Sequence, residues 1–280
     1  MALVKLSTLL RGIHDNSYAI GSFNVSNMEM VMGAIRAAEE LNAPIILQIS
    51  EGRLSYSPLH LLGPIMIHGA KAAAVPVAVH LDHGVSMETI RLALELGFTS
   101  VMFDGSKRPI EENIAMTKEV KAMASWYGAD VEGEIGCIGG AEGTYSAEEL
   151  ITRTEEAAYF AEETKADALA VAIGTVHGHY HGAPNLRIDR LKEIADVVSC
   201  PLVLHGGSGI SPADFRRCIH NGIKKINIAT SSYEAVSAHV KQIAHEKEDA
   251  TYFDFSSAAA AGTYENVKRH IAIFGTNGKV

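Results

Sequence analysis

Three histidines, His83, His177 and His205, each end or follow a short β-branched apolar run of the kind that forms a strand. Three neutral imidazoles converging from separate strands make an open Zn²⁺ site, with the remaining coordination positions left for a substrate. The ends of the other runs add Asn24, Ser50, Asp82, Asp104, Glu134 and Asn227–Thr230. An apolar core has no need of so many groups able to ligate a metal or carry a proton. Gathered at one end, they suggest metal-assisted acid–base chemistry. The run His177-x-His179-x-His181 resembles a local metal clip, but Gly178 and Gly182 mark a loop. His177 is therefore read as the ligand, and His179 and His181 as loop residues. His80, two residues before Asp82, is expected to face the core or the helix layer. The other histidines, His270 among them, read as surface or packing residues.

The elements that must position these groups alternate. Strands are expected at 19–24, 44–50, 76–82, 100–104, 130–136, 168–174, 201–206 and 225–230. Runs such as PIILQIS and ALAVAIG are nearly continuous in apolar residues, as in strands covered on both faces. Between them, stretches such as MEMVMGAIRAAEELN and IEENIAMTKEVKAMASWYG carry apolar residues at three- and four-residue spacing, with Asn42, Gly97 and Gly128 placed as C-terminal caps. Eight such units describe an α/β chain folded as a (β/α)8 TIM barrel. An open doubly wound sheet is the alternative, but no GxGxxG follows the first strand. Two further C-terminal helices are expected at 233–247 and 258–274. No Pro/Ser-rich linker divides the sequence, so residues 1–280 read as a single domain.

Composition narrows the partners. The 280 residues carry a formal net charge of −9, which disfavours nucleic acid and anionic membranes as general partners. Cys137, Cys200 and Cys218 show no CxxC spacing, and no apolar run approaches membrane-spanning length. The N-terminal MALVKLSTLLRGIHDN reads as an amphipathic turn and not a signal peptide. A cytoplasmic protein is expected. Backbone N–H groups bind phosphate without basic side chains, and a barrel commonly does so between the loops after strands 7 and 8. Here those loops carry Gly206, Gly207, Ser208, Gly209 and Thr230. A glycine-rich stretch at 133–146 has an isolated carboxylate, Glu142, that a mobile loop could deliver to a bound substrate.

The segments VHLDHG (79–84), SVMFDGS (100–106), VEGEIGCIGG (131–140), ALAVAIGTVHGHY (168–180), PLVLHGGSGI (201–210) and KINIAT (225–230), in that order, resemble the class II fructose-bisphosphate and tagatose-bisphosphate aldolase family. The resemblance implies that His83, His177 and His205 bind Zn²⁺, with Asp104 and Glu134 as acidic positions near the metal. It implies Asp82 as the catalytic proton donor and acceptor, and Glu142 as the group that moves the proton on dihydroxyacetone phosphate. It places Gly178, Gly206, Gly207, Ser208, Asn227, Ile228, Ala229 and Thr230 against that phosphosugar, and Asn24 and Ser50 are taken as further substrate contacts. The implied cofactors are Zn²⁺ and a monovalent cation, Na⁺ or K⁺; the implied assembly is a homodimer or homotetramer. The implied reaction is reversible aldol cleavage of a ketose phosphate through an enediolate. The other chemical route to such a cleavage is a Schiff-base lysine. Lys224 and Lys225 stand at the wrong end of strand 8 for that, and Lys107 lies in a loop. Bisphosphate-cleaving members carry a D-P-R-like segment before the last helix, whose arginine reaches the far phosphate of a neighbouring subunit. The stretch 245–270 has neither that proline nor that arginine, so an acceptor aldehyde without a terminal phosphate is expected. A metal-dependent hydrolase and a non-catalytic phosphosugar-binding barrel are the competing classes.

Overall fold

The computed structural model describes residues 2–13, 16–136, 151–180, 182 and 184–280. Its strands are β1 (Ile20–Asn24), β2 (Ile45–Ser50), β3 (Val77–Gly84), β4 (Ser100–Phe103), β5 (Asp130–Ile135), β6 (Ala168–Val171), β7 (Leu202–Leu204) and β8 (Ile223–Ile228). They pair in chain order, all parallel, and β8 closes on β1. The helices are α1 (Leu6–Leu10), α2 (Met28–Glu40), α3 (Leu59–Ala72), α4 (Met87–Glu95), α5 (Ile110–Tyr127), α6 (Thr154–Thr164), α7 (Ile188–Val197), α8 (Pro212–His220), α9 (Thr230–Glu246) and α10 (Tyr252–Phe274). This is the (β/α)8 barrel with additional C-terminal helices that the sequence pattern predicts. No helix among the described residues is long and apolar enough to cross a membrane.

Local chemistry explains the boundaries. The side chains of Asn27 and Ser86 accept the backbone N–H groups of Met30 and Thr89, opening α2 and α4. Gly128 closes α5 in the left-handed region, and Asn42 follows α2 there too. The two C-terminal helices start earlier than expected. α9 springs directly from β8 at Thr230, and a capping box between Thr251 and Asp254 starts α10 at Tyr252.

Strand alternation sorts the side chains into two cores. Ile45, Leu47 and Ile49 of β2 face outward, in one core with helix residues such as Ala34 and Met66. Ile46 faces inward with Ile20, Ala78, Ala168, Ala170 and Val203, and helix α1 plugs this lower end with Leu6, Leu9 and Leu10. Higher in the barrel the inward positions are polar and buried: Ser22, Gln48, His80, Ser100, Glu132 and Lys225. The apolar runs are therefore covered on both faces, but only the outward face is apolar throughout.

Candidate active site

The top of β3 is irregular, and the irregularity serves the site. Pairing with β4 slips between Leu81 and Gly84, and His83 lies at φ +46°, in the left-handed region. In a regular strand Asp82 and His83 would point to opposite faces. The bulge brings both toward the barrel mouth, with His83 Nε2 3.9 Å from Asp82 Oδ1. A non-glycine residue in that conformation costs about 1–3 kcal/mol, which the surrounding structure must offset. Gly84 lets the bulged strand lie against β4, because a Cβ there would stand 2.4 Å from the Met102 carbonyl oxygen.

Two other strands supply the remaining imidazoles. His205 follows β7 and is fully buried; His177 lies in the exposed loop between β6 and α7. The ring centroid of His83 is 4.8 Å from that of His177 and 4.7 Å from that of His205. A latch joins the two loops: the Tyr180 hydroxyl donates to the Gly206 carbonyl at 2.8 Å and accepts from the Val176 N–H at 3.3 Å. At Gly206 the loops approach so closely that a Cβ would meet the Val176 carbonyl oxygen at 2.5 Å, and its φ of +67° also favours glycine.

Carboxylates fix which imidazole nitrogens are available. His83 Nδ1 bonds Asp104 at 2.8 Å, and His205 Nε2 bonds Glu132 at 2.9 Å. An ionised carboxylate only accepts, so each of those nitrogens carries a proton. This turns His83 Nε2 and His205 Nδ1 toward each other, 3.0 Å apart. Without a cation between them, one must hold a proton. Burial works against a charged His83, but Asp82 and the hydrogen bond that His83 donates to Asp104 outweigh it and hold the imidazole up at about 10. His177 is open to solvent at the mouth, but desolvation of its ring among these groups, reinforced by His83, lowers it. Burial raises the Glu134 carboxyl well above the usual range, and neighbouring Asp104 adds to this. Its Oε2 is buried without a hydrogen-bond partner, 3.3 Å from His205 Nδ1. A field that holds a proton this tightly, with an orphaned carboxylate oxygen beside it, suits a divalent cation. His83, His177 and His205 can hold a metal ion, as can His83, Asp104 and Glu134, each set with ligand atoms within 4.8 Å of one another. The residues fit the group.

The structure thus gathers Asp82, His83, Asp104, Glu134, His177 and His205 at one mouth. Asn227 joins them, donating from Nδ2 to Asp82 Oδ1 at 2.9 Å. Ser208 and Thr230 lie at the neighbouring rim, where the Ser208 hydroxyl accepts the Ser231 N–H at 3.0 Å, in the first turn of α9. Asn24 is buried and accepts from Gln48 at 2.6 Å, while Ser50 aligns with Asp82 across the β2–β3 ladder. Ile228 belongs to the outer core, so only its backbone can face the site. His179 stands apart, exposed beside Glu234. Glu142, Cys137 and His181 lie outside the described residues.

Sequence reasoning missed the layer beneath. Glu132, fully buried, contacts His205 on one side and Lys225 on the other, the latter at 2.9 Å. Lys225 stands low on β8, as expected, but does not precede the strand. It lies inside β8 and is completely buried. His80 faces the barrel interior and bonds Ser100 at 2.8 Å. The signal was present as period-two polarity: Ser22/Asn24, Gln48/Ser50, His80/Asp82, Glu132/Glu134 and Lys225/Asn227 all fall on the inward face.

A barrel whose mouth combines a three-histidine centre with a hydrogen-bonded aspartate defines a metal-dependent enzyme. The family described as Fructose-bisphosphate aldolase class-II matches residues 4–279. Two relatives are each 38% identical over the whole chain: a 6-phospho-5-dehydro-2-deoxy-D-gluconate aldolase of Halalkalibacterium halodurans, 98% of which is covered, and a fructose-bisphosphate aldolase of Staphylococcus aureus, 99% covered. The crystal structure of the YdjI aldolase from Escherichia coli K12 superposes with a TM-score of 0.90 at 38% identity, covering 99% of both chains. The chain belongs to the class II fructose-bisphosphate aldolase family and is an aldehyde-lyase, which sets aside the hydrolase and the non-catalytic barrel.

Proposed function

We propose that this chain is a Zn²⁺-dependent aldolase that cleaves a ketose 1-phosphate to dihydroxyacetone phosphate and an aldehyde lacking a terminal phosphate. The observation that carries the zinc assignment is the 3.0 Å approach of His83 Nε2 and His205 Nδ1, each ring tied to a carboxylate by its other nitrogen. When bound, the metal supplies a Lewis acid for the ketose carbonyl. Asp82 takes the C4 hydroxyl proton as the C3–C4 bond breaks and returns it in condensation; Asn227 steadies it. The backbone at Gly178, Gly206–Ser208 and Asn227–Thr230 cradles the phosphate, helped by the positive end of α9. Asn24 and Ser50 line the sugar. Glu142 moves the proton on the dihydroxyacetone phosphate carbon. The same family reading gives a homodimer or homotetramer in the cytoplasm that also uses Na⁺ or K⁺.

The acceptor reading rests on the start of α10. Before the last helix, where the family carries its D-P-R-like segment, this chain has Thr251 as N-cap followed by Tyr252 and Phe253, both largely exposed and packed edge to face. An aromatic pair offers a second phosphate no charge. Arg108 is already paired with Glu112. The second reading assigns the far phosphate to Arg53, whose guanidinium lies 5.8 Å from the Tyr233 ring. The test compares kcat/KM for a ketose 1-phosphate and its 1,6-bisphosphate. The two should differ by less than about tenfold; a preference of about 100-fold for the bisphosphate, about 2.7 kcal/mol in the transition state, sinks the first reading. Loss of that preference in Arg53→Ala would establish the second.

A further inference from the structure

We infer that Lys225 is a positioning residue for the aldol step, acting on Asp82 through the amide of Asn227. This inference rests on the assignment of Asp82 proposed above.

Lysine is a poor choice for the inside of a barrel. Its ammonium is costly to bury unless it is paired. Lys225 meets that cost with Glu132 Oε2 at 2.9 Å and Asn227 Oδ1 at 2.8 Å. The second contact carries a constraint. An ammonium has three donors and no acceptor, so it can face only the carbonyl end of the Asn227 amide. The amide is planar, and its NH₂ end must then point the other way. There it donates to Asp82 Oδ1 at 2.9 Å. Replacing the ammonium with an apolar group removes one of the two contacts that orient the amide and leaves Asp82 alone to do so. In the flipped orientation the carbonyl oxygen of Asn227 would stand against the Asp82 carboxylate, two acceptors with no proton between them. The lysine therefore keeps one Asp82 oxygen tied and leaves the other to exchange the substrate proton. Lys225 also touches Glu132, which bonds His205, so metal content is the readout that separates an effect through Asn227 from one through the imidazole.

Lys225→Met is the direct test, with metal content measured alongside aldol cleavage. It leaves Glu132 buried without its counter-charge, so the double variant Lys225→Met/Glu132→Gln removes both charges and keeps an acceptor for His205. Either variant that folds should retain the wild-type metal stoichiometry and a KM within about threefold. Its kcat should fall about 10- to 100-fold, below the effect of deleting the acid/base group itself. In an Asp82→Asn background the same change should cost less than about threefold more, because residues acting through one another are not additive. A full, additive loss in that background, or a wild-type kcat in both variants, overturns the inference. Wild-type enzyme without aldol activity would instead overturn the proposed function on which it rests.

Discussion

The two ends of the barrel interior are lined by the same strands and built on opposite principles. At the lower end α1 closes the barrel with Leu6, Leu9 and Leu10 packed on Ile20, Ile46, Ala78 and Val203. Contacts of this kind are non-directional, so neighbouring side chains can exchange volume with modest loss. At the upper end, inward groups are joined across strands by directional bonds: Gln48 to Asn24, His80 to Ser100, and Glu132 to His205 and Lys225. Each has a specified partner and an unpaired remnant is costly. The lower end makes the barrel stable. The upper end spends part of that stability on holding charges in place.

Removing the metal should break the comparison most visibly. Chelation by EDTA should abolish cleavage and added Zn²⁺ should restore it, with the far-ultraviolet circular dichroism of the barrel retained; activity that survives metal-free dialysis would contradict the assignment of His83, His177 and His205. Next in size is Asp82→Asn, expected to lower kcat by on the order of 10²–10⁴ while leaving the melting profile and metal content as in the wild type. The lower end should answer in the other currency. Leu10→Ala should destabilise the fold by about 2–5 kcal/mol in urea titration and leave kcat/KM within about twofold, whereas a parallel loss of activity would show that the two ends are coupled.

The smallest effect concerns pH. Burial pushes His270, packed among Phe23, Phe215 and Phe274, down to about 4. A folded state that keeps this imidazole neutral binds fewer protons than the unfolded chain between about pH 6.5 and 4. Its contribution is therefore complete above the unfolded value and is lost as pH falls through that window. At pH 5 the loss from this group is about 2 kcal/mol. Urea midpoints at pH 7 and pH 5 should move apart less in His270→Gln than in the wild type, and equal shifts would remove His270 as the cause.

Much of this architecture is legible in the residues. Apolar runs bounded by caps such as Asn42 and Gly128 place the strands and helices, and the polar run ends locate the catalytic mouth. The supporting layer was legible in principle, since Glu132 lies two residues before Glu134 and Lys225 two before Asn227. Reading only the strand ends hides it. Lys225 is further disguised by its long stem, which carries an ammonium from a low position on β8 up to Asn227. The bulge at His83 leaves no comparable trace. Strand periodicity predicts that His83 and Asp82 face apart, and only the slipped pairing between β3 and β4 brings them together. The start of α10 lies between these cases, because the Thr251–Asp254 capping box is a readable motif that helical periodicity alone passes over.

The Tyr180 latch has a consequence for how such an enzyme can diversify. One phenol ties the loop bearing His177 to the loop bearing His205 by a single bond to the Gly206 carbonyl and braces its own loop by accepting the Val176 N–H, and neither bond depends on a neighbouring side chain. The latch thus sets the spacing of the two loops through backbone atoms, independently of exposed neighbours such as His179. A change at the loop tips or at the start of α10 would therefore leave the spacing of His177 and His205 in place.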